Sequence, residues 1–271
     1  MPIYMDRHDM KGLTAADVVR AHEMDLEVQD KYGVRFLTYW HDQDRETGFC
    51  LIDAPDKETA ARVHKETHGH EASDVIDVDL SAVEAFLGRI DDPPAAAPGA
   101  VSQVDSAFRA VMFTDIVEST AMTARLGDVR SVEMVRAHDS MVRRALVDGG
   151  GQEIKHTGDG IMASFTGVVE GVASTCAIQK SFEKFNGDSD EKLQVRIGLH
   201  SGEPVQDSND LFGATVQMAA RMCAHASADG IVVSDAVRLD LPRRFTVNPL
   251  GTHTLKGFSD PVSLYEVDWR Q

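Results

Sequence analysis

Nine residues about a third of the way along, Asp91-Asp92-Pro93-Pro94-Ala95-Ala96-Ala97-Pro98-Gly99, constrain the fold of this chain more than any other stretch. Three prolines and a glycine cannot continue a helix, because proline lacks the amide N–H and clashes with the preceding turn. Such a segment favours an extended, semi-rigid connection. The sequence therefore predicts two domains, residues 1–91 and 105–271, joined by a linker over 92–104. A length of 271 residues suits one large or two medium domains.

Before the linker the pattern alternates. Pro2 to His8 reads as a strand, and Thr14 followed by Asp17 reads as a capping box opening a helix. Val34–His41 and Gly48–Asp53 are β-rich runs on either side of a polar hairpin loop, 42–47. Asp56–His68 reads as a second helix, Asp74–Val78 as a strand and Leu80–Ile90 as a short helix. The order βαββαβ predicts a ferredoxin-like unit. After the linker, strands are expected at Phe108–Phe113, Gln152–His156, Ile161–Phe165, Leu193–Leu199 and Ile231–Ser234. Helices are expected over Ser119–Val147, Val168–Phe185 and from Gly213. The class is α+β.

Charge narrows the partners. The formal net charge is −17; residues 1–92 hold 21 acids and 10 bases, a net of −11. A surface this acidic argues against sequence-independent binding to nucleic acid or to an anionic membrane. A polyphosphate site here must import metal ions and place a few local cations. The three cysteines, Cys50, Cys176 and Cys223, are widely spaced and include no CxxC pair. With a start that lacks a signal-peptide pattern and no apolar run of about 18 residues, they predict a reduced, cytoplasmic protein without a membrane span.

Two segments carry the chemistry. Phe113-Thr114-Asp115-Ile116-Val117-Glu118 and Lys155-His156-Thr157-Gly158-Asp159-Gly160 each deliver one aspartate where the backbone turns out of a β-prone run. Two carboxylates placed so can hold a pair of divalent cations. Singly, Asp159 fits an ordinary Asp-Gly hairpin turn and Asp115 a helix-start region. With Asp210-Leu211-Phe212-Gly213 and Arg221, however, residues 107–268 resemble the class III nucleotide cyclase catalytic domain. The resemblance implies that Asp115, the Ile116 carbonyl and Asp159 bind two Mg2+ or Mn2+ ions. It assigns adenine reading to Lys155 and Asp210, charge stabilisation on the phosphate to Arg221 and the terminal phosphates to Lys256. It further implies ATP as substrate, cyclic AMP as product and a homodimer whose two sites are each shared between protomers. Gln217 stands where the family more often has a ribose-orienting Asn, and Glu118 where glycine is common. Gln217 keeps open a second reading, a cyclase-fold regulator that binds nucleotide and metal with weak or no turnover.

Six of the eleven histidines lie in residues 1–92. His64 and His68 are one helical turn apart, which suits two-point chelation. Met5-Asp6-Arg7-His8-Asp9 and the His64…His68-Gly69 helix end resemble a small ferredoxin-like family of the dimeric α/β barrel type, described as nickel-binding. That resemblance covers about residues 1–80. It implies a transition-metal site, for Ni2+ or a similar ion, drawn from His8, His41, His64 and His68. Cys50, central in a β-run, reads as a small buried hydrophobe, and His138 and His156 as structural.

Overall fold

The structure, a computed structural model, describes residues 1–93, 104–204 and 212–271, with backbone alone at 206, 207, 210 and 211. Most of the expected linker, residues 94–103, lies outside the described residues. Contacts divide the chain into two compact units, Met1–Phe108 with Pro204–Gly213, and Arg109–Glu203 with Ala214–Gln271.

The first unit runs β1 (Ile3–Asp9), α1 (Ala15–Tyr32), β2 (Arg35–Asp42), β3 (Thr47–Asp53), α2 (Lys57–Thr67), β4 (Ala72–Asp77) and α3 (Leu80–Leu87). Its antiparallel sheet has the order β2-β3-β1-β4, the ferredoxin-like arrangement. The Thr14 capping box forms as predicted: Thr14 Oγ1 accepts from Asp17 N, and Thr14 N donates to Asp17 Oδ2 at 2.9 Å. The third helix stops at Leu87, short of the expected Ile90, because Gly88 turns left-handed at φ 79° and caps it.

Alternation along β1 sends Tyr4, Asp6 and His8 to one face of the sheet. Tyr4 packs there with Phe36, Ile52, Ala60 and Val63 in an apolar core. The opposite face presents Trp40, fully buried, with the Arg89 guanidinium 4.7 Å from its ring centre. The residues just before the second unit lie along the end of β2, where His41 N donates to Asp105 O at 3.0 Å and Ser106 Oγ to Asp42 Oδ2 at 2.7 Å.

The second unit begins with β5 (Arg109–Ile116), α4 (Ser119–Gly149, broken at Gly127), β6 (Gln152–His156), β7 (Ile161–Phe165), α5 (Val168–Asp188) and β8 (Val195–Gly202). A two-stranded ribbon, β9 (Gln206–Asp207) and β10 (Asp210–Leu211), precedes α6 (Gly213–His225), β11 (Ile231–Ser234), α7 (Asp235–Asp240), β12 (Val247–His253) and β13 (Val262–Val267). The sheet order is β12-β13-β11-β8-β5-β7-β6, parallel only between β8 and β11. This buries β5 and β8 centrally and leaves β6 and β12 as edges. Sequence patterning missed β12 and β13. The β12 strand is an exposed edge with Pro249 and Gly251 at a register shift, so it carries no apolar alternation to read.

Candidate active site and metal cluster

Asp115 and Ile116 end β5, and Asp159 sits in the turn between β6 and β7. The turn closes onto β5: Ile116 N donates to Asp159 O at 3.3 Å, and Ile161 N donates to Thr114 Oγ1 at 3.0 Å. Gly160 makes that closure possible, since a Cβ there would fall 1.9 Å from Thr114 O. Ser119, at the start of α4, donates its hydroxyl to Asp159 Oδ2. The turn thus sets Asp159 beside the end of β5 that carries Asp115; both residues are half-buried, and their carboxylates are hard oxygen donors of the kind Mg2+ and Mn2+ prefer. Glu118 adopts φ 54°, the left-handed region, which accounts for the usefulness of glycine at that position.

A second group forms around α6. Gln217 and Arg221 are four residues apart on this helix, and Arg221 Nε donates to Lys256 O at 3.1 Å. The helix sits tight on β8, because Gly198 leaves room for Cys223 N and Ala219 O, which a Cβ would approach to 2.2 and 2.4 Å. Lys155 is exposed on edge strand β6 and, among the described residues, makes no ion pair. Asp210 begins β10, and its side chain lies outside the described residues. Among the described residues neither Arg221 nor Lys256 pairs with Asp115 or Asp159.

One partner of this site was not anticipated. Arg196 on β8 stands opposite Asp115 in the strand register and grips its Oδ2 with Nε at 2.6 Å and Nη2 at 2.5 Å. Nothing in the sequence marks Arg196 without the register of β5 against β8.

In the first unit the structure joins three of the four predicted histidines to two aspartates. His64 Nε2 lies 2.8 Å from Asp6 Oδ2, and His64 Nδ1 3.0 Å from Asp25 Oδ2. His68 Nε2 is 3.1 Å from that same Asp25 oxygen, and His8 Nε2 is 3.4 Å from Asp6 Oδ1. Two overlapping sets of donors lie within 4.8 Å: Asp6, His8, Cys50 and His64, and Asp25, His64 and His68. His41 stays outside. It shares a cross-sheet row with Gly48 and His8, two strand spacings (about 9.6 Å) from His8, with Met10 folded over Gly48 between them. Cys50, read from sequence as a buried hydrophobe, is buried and also belongs to the first donor set. Asp25 could have been found, since Val18, His22 and Asp25 follow helical spacing onto the inward face of α1.

The electrostatics of this cluster are unusual for a domain core. Burial alone would push His64 toward neutrality, but the charges of Asp6 and Asp25 lift its pKa to about 10. Burial would likewise raise the two carboxyls; His64 and His8 outweigh it for Asp6, and His64 and His68 for Asp25, so both titrate below the usual range. Asp6 Oδ2, both nitrogens of His8, His64 Nε2 and Asp25 Oδ1 are buried without an aligned hydrogen-bond partner. Donors of this kind fit a borderline transition metal, which would satisfy several of them at once.

This has a pH consequence. Without metal, folding takes up a proton at His64, so its contribution is fully present below about pH 6.5 and is lost as pH rises toward 10. The aspartates contribute above their unfolded pKa of about 3.9 and lose that contribution in acid. In chelator, the N-terminal unit should lose about 1.4 kcal/mol per pH unit between pH 7 and 9. Urea unfolding followed by Trp40 fluorescence in a Trp269→Phe background measures it. A flat profile there would sink the assignment of a charged His64.

Two family models match the chain. Residues 103–268 match the family model of the adenylate and guanylate cyclase catalytic domain. The chain belongs to that family, with a class III cyclase fold. Residues 4–78 match a second model, described as nickel responsive protein SCO4226-like. A receptor-type adenylate cyclase of Trypanosoma congolense is 26% identical over 204 residues, 58% of this chain and 27% of that protein. This chain spans less than half the length of the curated relatives it matches. The adenylyl cyclase CyaB of P. aeruginosa superposes with a TM-score of 0.52 at 21% identity, over 59% of this chain and 93% of that one. The guanylate cyclase domain of RhGC from Catenaria anguillulae, solved with GTP, gives 0.53 at 22%, over 59% and 96%. No described helix is long and apolar enough to cross a membrane.

Proposed function

We propose that this protein is an adenylate cyclase, converting ATP to 3′,5′-cyclic AMP and pyrophosphate at two sites shared across a homodimer. The observation that carries this reading is the closure of the Asp159 turn onto the end of β5, which supports a joint role for Asp159 and Asp115 in a member of the cyclase family. Asp115, the Ile116 carbonyl and Asp159 would hold Mg2+ or Mn2+. Bound there, two cations would acidify the ribose 3′-hydroxyl and neutralise triphosphate charge. Arg221 stabilises charge developing on the α-phosphate, Lys256 holds the terminal phosphates, and the Gln217 amide orients the ribose.

Base choice falls to Lys155 and Asp210. A lysine donates to adenine N1 while a carboxylate accepts from the exocyclic amine; guanine presents the reverse pattern and would leave both unpaired. The shared site rests on the family resemblance, which implies that each site draws residues from both protomers. The N-terminal unit would report a transition metal such as Ni2+, held by His8, His64 and His68 with Asp6 and Asp25.

Full-length protein given ATP or GTP with Mg2+ or Mn2+ tests the reading by product chromatography. Cyclic AMP is expected, with kcat/KM for ATP at least about 10²-fold above that for GTP. Equal or faster cyclic GTP formation would assign it as a guanylate cyclase. Tight binding of an ATP analogue without turnover under any metal would favour the regulator, the reading that Gln217 leaves open.

A further inference from the structure

We infer that Asp139 on α4 is a positioning residue for the cyclase reaction, holding the turn that carries Asp159 by both flanks through two histidines. The inference rests on the two-metal reading above. Asp139 Oδ1 lies 3.0 Å from His138 Nδ1 and 3.1 Å from His156 Nε2, and its Oδ2 lies 3.0 Å from that same Nε2. Beyond them, His156 Nδ1 accepts from Gly158 N at 3.3 Å, and His138 Nε2 meets Thr114 Oγ1 at 3.2 Å. Thr114 Oγ1 in turn accepts from Ile161 N at 3.0 Å. Gly158 comes just before Asp159 and Ile161 just after the turn, so both ends of the segment lead back to one carboxylate.

Proton directions make the arrangement specific. A backbone N–H can only donate, so His156 Nδ1 is bare and the ring proton sits on Nε2, facing Asp139. His138 is buried, and burial holds its pKa below the ordinary histidine value, so its ring is neutral at pH 7. A carboxylate accepts, so the His138 proton sits on Nδ1 and Nε2 is left to accept from the Thr114 hydroxyl. One carboxylate therefore fixes both tautomers, and each is the tautomer its flank of the turn requires. Asp139 is itself well held. Arg143, one turn further along α4, forks onto Glu153 of β6 at 2.7 and 2.8 Å, and the His138 ring lies against Phe182 of α5 with centres 5.7 Å apart. Such a tether matters for rate, since displacement of a catalytic group by about 1 Å costs roughly 10²-fold.

The test separates hydrogen bonding from charge and from folding. Full-length Asp139→Ala, Asp139→Asn and His156→Phe are titrated with Mn2+ without nucleotide, read by electron paramagnetic resonance of the free ion, beside kcat and thermal unfolding. The Asp115→Ala, Asp159→Ala double variant is the blank for ions bound elsewhere. Asp139→Ala should bind Mn2+ at least about tenfold more weakly than the native protein and lose about 10²-fold in kcat. Asp139→Asn keeps an acceptor where both histidines already meet Oδ1, so it should stay within about threefold of native in each. His156→Phe keeps a ring and gives up both bonds. With 34% of the His156 side chain exposed, its thermal midpoint should move by less than about 4 °C. Its Mn2+ binding should still weaken at least about tenfold, and its kcat fall with it. A role in folding alone predicts losses only where the thermal midpoint falls. Native Mn2+ affinity or native kcat in folded His156→Phe, or a loss in Asp139→Asn as large as in Asp139→Ala, overturns the inference. If the double aspartate variant binds Mn2+ as well as native, the two-metal reading fails instead.

Discussion

Replacing Asp115 or Asp159 by alanine is expected to lower cyclic nucleotide formation at least about 10³-fold. Each carboxylate supplies charge to a cation that offsets several kcal/mol of developing negative charge. Ser119 donates to Asp159 and Arg196 to Asp115, so each variant frees a donor at a half-exposed position and costs little stability. Circular dichroism should therefore match the native protein while steady-state turnover collapses. Retention of full activity by either variant would remove the two-metal assignment. The same variants test the shared site. An equal mixture of Asp115→Ala and Arg221→Ala chains gives half mixed dimers, each with one intact site, so about a quarter of native activity should return. A site built within one chain would return none.

Much of this architecture was legible because local chemistry and tertiary structure agree. Thr14 and Asp17 announce a helix start that forms as read, and the turn holding Asp159 is flanked by β-runs that pair as expected. Residues chosen by long-range register were not legible. Arg196 sits in an ordinary strand run, and only the pairing of β5 with β8 sets it against Asp115. Asp6 illustrates a different failure. Alternation places it with His8 on the inward face, where a lone aspartate costs several kcal/mol, so patterning alone reads it as surface. The core admits it because His64, arriving on α2, carries the opposite charge. His41 shows the converse: a histidine on the correct face, in the correct row, kept apart by two strand spacings and Met10. Chelation depends on distances that spacing within one strand does not determine.

That charge balance sets the last expectation, the response to nickel. A cation bound among Asp6, His8, His64 and His68 must displace the His64 proton, so its affinity should rise with pH over the range where metal-free stability falls. At a free Ni2+ concentration about a hundredfold above its dissociation constant, the N-terminal unit should gain about 2.7 kcal/mol. Any effect of nickel on cyclase rate follows from different affinity for two arrangements of the protein. His64→Ala should remove nickel binding and that rate effect together. It also takes from the buried Asp6 and Asp25 the cation they share, leaving His8 beside the one and His68 beside the other, at a cost of about 3–5 kcal/mol to the unit. His68→Ala separates the two consequences. Of the two buried aspartates His68 reaches Asp25 alone, and Asp25 keeps His64, so the fold should hold while nickel affinity falls at least about tenfold. Calorimetric titration of full-length His68→Ala and of the His64→Ala, His68→Ala double variant, beside cyclase rates with and without Ni2+, decides the matter. Basal activity should be unchanged throughout, because neither histidine belongs to the cyclase unit. A nickel-dependent rate that survives the double change would place the responding metal among Asp115 and Asp159 themselves.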